Sequence, residues 1–174
     1  MIQLSSLVWV IAIFFAVVGF LRGWRRELSA TGAIFLIFFI LYQFDPILRN
    51  TIYRLLQSVH IFIIQSLIFL SMVIYMYRIR RQDTDEPNRS LSQNLLGGLV
   101  GFINGYIIAT SLWYFLDINE YPIAQFIVAP PDGSISSQAI SMIPIILING
   151  GYQAGNDLIL VIVMAMLFVA LIVA

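Results

Sequence analysis

Three charged residues and one amide carry most of the chemistry this sequence offers. Arg22, Arg26 and Glu27 lie together in GFLRGWRREL, and Asn104 stands among the glycines of LGGLVGFINGYIIA. On a continuous helix Arg22 and Arg26, four residues apart, share a face and repel unless an anion or a carboxylate bridges them. Such a pair can hold an anionic lipid headgroup, or a partner's loop, near the inner leaflet. Equally, Glu27 can close an ion pair, and arginines after an apolar segment are expected as plain topological anchors. Asn104 could be a ligand in a permeation path or a binding pocket. It is read here as glue between helices, a hydrogen bond worth about 0.6 kcal/mol.

Little else is available for catalysis. The chain has no cysteine, which excludes disulfides and thiolate metal sites. His60 is the single histidine, on a segment that also carries Gln57, Gln65 and Ser71 as a faint polar stripe. It could sense pH or hold a cofactor; a lone histidine near an interface is read as simply hydrogen-bonded. It has no evident serine partner in a nucleophile motif, and no cluster of histidines and carboxylates suggests a metal. Asp45, Asp117 and Asp157 all fall at the edges of apolar segments. No carboxylate is therefore expected inside a span, which disfavours proton-coupled transport. The chain is read as non-enzymatic, with no cofactor required, although bound lipid, quinone or pigment stays open.

The elements that must position these residues are membrane helices. Of 174 residues, 60% are hydrophobic and 10% charged, against about 25% charged in a soluble domain. Nine arginines balance nine acids with no lysine at all, so there is no basic footprint for nucleic acid. Five apolar segments, 4–21, 29–44, 56–77, 95–116 and 157–174, predict an all-α, polytopic bundle forming a single membrane domain over 1–174. The first follows no basic n-region, so it reads as a span rather than a cleaved signal. Asp45-Pro46 is expected to stop the second segment.

Arg22, Arg25, Arg26, Arg78, Arg80, Arg81 and Arg89 follow the first span or fill the loop 78–94, against Arg49 and Arg54 on the other side. That asymmetry predicts the N-terminus outside and the C-terminus in the cytoplasm, with Trp113 and Tyr114 in an outer aromatic belt. The outer loop 117–156 carries turn signals at Pro130-Pro131, Asp132-Gly133 and Gly150-Gly151. Within it, SISSQAISMIPIILI suits a short surface helix.

Glycine spacing predicts how two spans meet. Gly97, Gly101, Gly105 and Ala109 recur every four residues, and Ala12, Ala16, Gly19 and Gly23, spaced by four, three and four, form a near-matching strip. In a soluble helix each glycine would cost roughly 1 kcal/mol against alanine. Between membrane helices small residues let backbones approach, and van der Waals contact then drives association. The two strips are expected to face each other as the core. Spans two, three and five would then face lipid or partners, and Ile34, Phe35, Phe38 and Phe39 make span two apolar all round.

GFLRGWRREL resembles the G-x-x-R-G-x-x-R-E signature of the colicin V production protein family, with Gly19, Arg22, Gly23, Arg26 and Glu27 in place. Leu96, Gly97, Gly101 and Gly105 are similar to its second signature, L-G-x-x-x-G-x-x-R-G. SSQAISMIP resembles its serine-then-proline segment. The resemblance covers about residues 4–148. It implies a small four-span protein of the bacterial inner (cytoplasmic) membrane, linked to colicin V production or export and to envelope integrity. The chain departs at Gln93 and Asn94, where the family places an acidic-basic pair, at Asn104, where it places arginine, and in the fifth span. The expected role is that of a scaffold or accessory subunit, packing against itself, other membrane subunits and lipid. Alternatives are a transport or export component for a small solute or toxin peptide, and an accessory subunit of a photosynthetic or respiratory complex.

Overall fold

A computed structural model describes residues 4–79, 90–140, 143, 144 and 165. The elements are α1 (Leu4–Arg22), α2 (Trp24–Asn50), a 3-10 turn (Tyr53–Leu55), α3 (Ser58–Ile79), α4 (Leu91–Ile118) and α5 (Ile135–Ile140). No strand occurs among the described residues. The first four helices are each long and apolar enough to cross a bilayer. The proposed fifth span, 157–174, lies outside the described residues except for residue 165, and so do Arg80, Arg81 and Arg89 of the loop 78–94.

Contacts fix the directions. Gly19 meets Gly97 and Gly101, and Ala12 meets Gly105, so α1 and α4 run antiparallel. Side chains of Glu27 and Arg49 on α2 reach Asn104 and Asn119 on α4, so these two run parallel. Tyr77 reaches Glu27 and Gln65 reaches Asp45, so α3 opposes α2. The result is an up-down-up-down bundle whose most extensive contact is α1 with α4.

Two boundaries differ from the sequence expectation, and both shape the site. The second helix starts at Trp24 rather than residue 29, and it runs through Asp45-Pro46 to Asn50. Proline removes one backbone donor and crowds the preceding turn, yet side chains bind across the weakened place. Asp45 Oδ2 accepts from Arg49 Nε at 2.6 Å, one turn later, and Thr51 Oγ1 donates to the carbonyl of Ile47. At the other end, Gly23 lies between α1 and α2 with φ 88°. Only glycine adopts that conformation freely, so the chain ends one helix and starts the next within a single residue. Arg22 and Arg26 therefore do not share the face of one continuous helix.

Span two faces both ways: Leu28, Ile40, Phe44 and Ile47 are exposed, while its opposite side enters the core. Ile34, Ile37 and Phe38 are buried, and Phe38 forms an aromatic cluster with Phe69 of α3 and Phe115 of α4. Phe69 and Phe115 are edge-on at 5.7 Å between ring centroids. Each such pair adds about 0.5–1.5 kcal/mol beyond the area it buries. Trp113, expected in an interfacial belt, is also buried, and its Nε1 donates to Tyr121 Oη at 3.0 Å. Further exposed apolar side chains come from the outward faces of α1 and α3, such as Val10, Phe14, Leu67 and Ile74, and from Leu95 and Leu99 of α4.

α4 is the central element, and its ends are built locally. Ser90 caps its start, with Oγ accepting from the Gln93 amide. At its end Glu120 and Tyr121 both adopt positive φ, 59° and 50°. Two non-glycine residues in the left-handed region need outside support. Tyr121 receives it from its amide bond to Leu116 O and from Trp113.

Candidate functional site

The close approach of α1 and α4 comes first, because it brings the charged end of α1 into the bundle. A Cβ on Gly101 would sit 2.9 Å from Gly19 Cα, and one on Gly97 the same distance from Gly23 Cα. One on Gly105 would lie 2.9 Å from Ala12 Cα. Backbone fills those spaces, so no side chain fits. Ala12 and Ala109 are buried, and Ala16 meets the ridge only at its border, through Gly98. The structure thus brings the two small-residue strips together, with Phe15 seated beside Gly101 and Gly105.

At the arginine-rich end of this seam lies a buried carboxylate. Glu27, in the first turn of α2, has no exposed side-chain surface. Its Oε1 accepts from Arg22 Nη1 at 2.5 Å. Oε2 accepts from Tyr77 Oη at 2.9 Å and from Asn104 Nδ2 at 2.9 Å. The same Asn104 nitrogen donates to the Glu27 carbonyl at 3.0 Å. Thr31 Oγ1 lies 2.6 Å from Asn104 Oδ1 and 2.9 Å from that carbonyl, sharing its proton between them. The Arg22 guanidinium also stacks over the Tyr77 ring, 4.2 Å from its centroid.

Four helices are therefore joined through one side chain. The N-terminal turn of α2 adds its own favourable partial charge for an acid. Taking a carboxylate and a guanidinium out of water costs several kcal/mol per ion, which the mutual attraction offsets only when every lone pair is used. Here both carboxylate oxygens are used.

These positions correct the sequence reading in one important respect. A carboxylate does lie inside a membrane helix, because α2 begins before Glu27 rather than after it. Asn104 makes an interhelical hydrogen bond, and its partner is α2 rather than α1. Arg22 folds onto Glu27, while Arg25 is exposed with its guanidinium 5.8 Å from the Trp24 ring centroid. Arg26 is half-buried on the first turn of α2. Tyr77 and Thr31 were not anticipated. A tyrosine at the end of a span looks like a belt residue, and a threonine in an apolar helix carries no signal of its own.

A second polar network lies at the far end of α2. Asp45 Oδ1 accepts from Gln65 Nε2 at 2.7 Å, and Gln65 Oε1 accepts from Asn119 Nδ2 at 2.8 Å. Arg49 Nη2 donates to Asn119 Oδ1 at 3.3 Å, closing a ring through α2, α3 and the C-terminus of α4. Of the polar stripe on α3, only Gln65 is buried; Gln57, His60 and Ser71 are exposed. Next to this network, burial and the Asp45 carboxylate push the Tyr53 phenol up from its ordinary value. Glu27 and Asp45 are 18 residues apart on α2, roughly 27 Å, close to the roughly 30 Å of a bilayer's hydrocarbon core. The networks thus sit near its two faces.

Among the described residues no group of three or more histidines, cysteines or carboxylates could hold a metal ion. A family model described as Colicin V production protein matches residues 4–130, which is most of the chain. No curated protein and no solved structure matches the chain.

Proposed function

Because this chain belongs to the colicin V production protein family, we propose that it is a non-enzymatic, multi-pass subunit of the bacterial inner membrane. It acts through helix packing, as a scaffold or accessory subunit of a membrane assembly. One observation carries this reading: the most strongly charged site in the bundle is occupied by its own residues. Arg22, Tyr77 and Asn104 from three helices take up both oxygens of Glu27. A carboxylate held at both oxygens by three other helices serves to fix a shape rather than to receive a passing ion or a substrate.

The glycine seam supports the same role differently. Its small residues are already engaged between α1 and α4, so partners dock on the outward apolar faces of the helices rather than on the ridge. The deciding experiment is purification in mild detergent at native expression, with identification of what accompanies the protein. Recovery with other membrane subunits is expected. A lone monomer that passes solute in liposomes would overturn the proposal.

A transport or export role is the second reading, and Glu27 favours it. Ionisable residues inside membrane helices often mark the path of an ion or substrate. In that case Glu27→Gln, purified folded, should abolish a flux that the wild-type chain supports. The scaffold reading expects no flux from either protein.

A further inference from the structure

The end of the bundle opposite the arginine-rich one contains a site that neither network explains. After α4 the chain doubles back as a strap, residues 122–134, and leads into α5 beside the first turn of α1. A buried contact between Ser5 Oγ and Ser136 Oγ, 3.0 Å, pins it there. Beneath the strap is a partly open cavity of about 280 Å³, lined by Leu4, Phe126, Val128, Pro131, Ser134 and Ile135 among others. The lining is mostly apolar with two serine hydroxyls, which is the composition of a ligand site near the small end of the usual range, roughly 300 Å³.

Location and charge narrow the ligand. Leu4 opens an apolar membrane helix, so the cavity lies where hydrocarbon gives way to headgroups. Phe126 and Ile135, although outside the spans, are 80% and 72% exposed. Large apolar side chains in that position belong in the interfacial layer of a bilayer. The described residues 117–140 carry Asp117, Glu120 and Asp132 and no basic residue, and Arg49 at the same end is paired with Asp45, so this segment repels anionic headgroups and attracts an ammonium. Asp132 follows the lining residue Pro131 and is exposed.

We propose that the cavity takes part of the acyl chain of a zwitterionic, amine-headgroup phospholipid, with Asp132 of the strap beside its ammonium. The site is independent of whether the bundle is a scaffold or a transporter. Its volume suits a segment of one chain rather than a whole lipid, so the bound lipid remains continuous with the leaflet.

Photo-crosslinking tests this in liposomes of mixed phosphatidylethanolamine and phosphatidylglycerol, with a diazirine near the acyl terminus of either lipid. The ethanolamine probe should label residues 126–136 more than the glycerol probe by about fivefold, the ratio given by roughly 1 kcal/mol of headgroup electrostatics. Ala129→Trp, which fills the cavity, should reduce that labelling to the level at Leu67, an outward residue of α3. Asp132→Asn combined with Glu120→Gln should equalise the two probes while labelling persists. Equal labelling by both probes in the wild-type chain, or labelling no stronger than at Leu67, would overturn the proposal. A photoreactive residue at 129 that crosslinks to residues 145–174 of its own chain would do the same. If Ala129→Trp does not fold, the probe comparison on the wild-type chain still decides.

Discussion

The two polar networks use similar residues and reach opposite results. At the arginine-rich end Glu27 is fully enclosed, its arginine partner is 18% exposed, and all four long helices contribute. At the other end Asp45 and Arg49 are 17% and 34% exposed, and only α2, α3 and the end of α4 take part. Water can replace a lost partner at the second network and cannot at the first. The difference originates in α1: the glycine seam draws its last residue, Arg22, against α2, whereas at its first turn α1 contacts α5 instead. Backbone proximity, rather than the number of charges, sets the depth of each network.

The largest expected effect therefore comes from removing Arg22. Arg22→Ala leaves the Glu27 carboxylate buried without its cation, which should cost roughly 3–5 kcal/mol. Arg22→Ala combined with Glu27→Gln removes the orphaned charge and should recover much of that loss. Thermal unfolding in detergent measures both, and additive losses in the double variant would show that the two side chains do not act as a pair.

Next comes the seam itself. Gly101→Ala places a methyl 2.9 Å from Gly19 Cα and against the carbonyl of Phe15, where only backbone could yield. Overpacking of this kind typically costs about 1–3 kcal/mol. The comparison makes a sharper demand: as α1 moves off α4, Arg22 should leave Glu27, while the ring of Asp45, Arg49, Gln65 and Asn119 stays intact. The chain has no cysteine, so pairs of labelled cysteines at exposed neighbours, 21 with 75 and 47 with 63, can report each network separately without removing its residues. Equal disruption of both would show that the seam does not control their difference.

How far these networks were legible in the sequence follows from the same geometry. The four-residue period of Gly97, Gly101 and Gly105 states where a second backbone can approach, and the residues at that spacing are the ones α1 meets. Four apolar helices follow equally from composition. Glu27 was harder, because next to Arg25 and Arg26 it looks like a polar flank outside the membrane. Its burial depends on Tyr77, Asn104 and Arg22, which are distant in sequence or separated by the turn at Gly23. Nothing in local spacing says that a positive φ at Gly23 will fold Arg22 back onto α2. Pro46 misled for a related reason: its effect on the helix is local, but the ring of side chains around it involves three helices.

A smaller effect should come from the exposed network. Arg49→Ala removes an i,i+4 pair to Asp45 in which both partners reach water. Such pairs contribute only about 0.3–0.5 kcal/mol, and the further bond to Asn119 is long at 3.3 Å. The variant should unfold within about 1 kcal/mol of the wild type. A loss approaching that of Arg22→Ala would mean that the outer ring is as closed as the inner one.

The smallest effect is confined to alkaline pH and tests how firmly the end opposite Glu27 is fastened. Burial is the main cause pushing the Tyr121 phenol up to about 12; the Asp117 carboxylate adds to it, and the Trp113 hydrogen bond acts in the opposite sense. A phenol that ionises near 10 in the unfolded chain and about 12 in the folded one holds its proton more tightly when folded. Its contribution to stability is complete below pH 10 and declines as the pH rises through 12, because the unfolded chain releases the proton first. Unfolding should therefore become easier over that range in the wild-type chain, and the decline should be shallower in Tyr121→Phe. Tyr121 holds the left-handed turn that starts the strap, so lipid labelling at 126–136 should fall over the same interval. Identical alkaline profiles for the two proteins would show that the Trp113–Tyr121 contact fastens nothing, and that this end of the bundle depends on its polar ring alone.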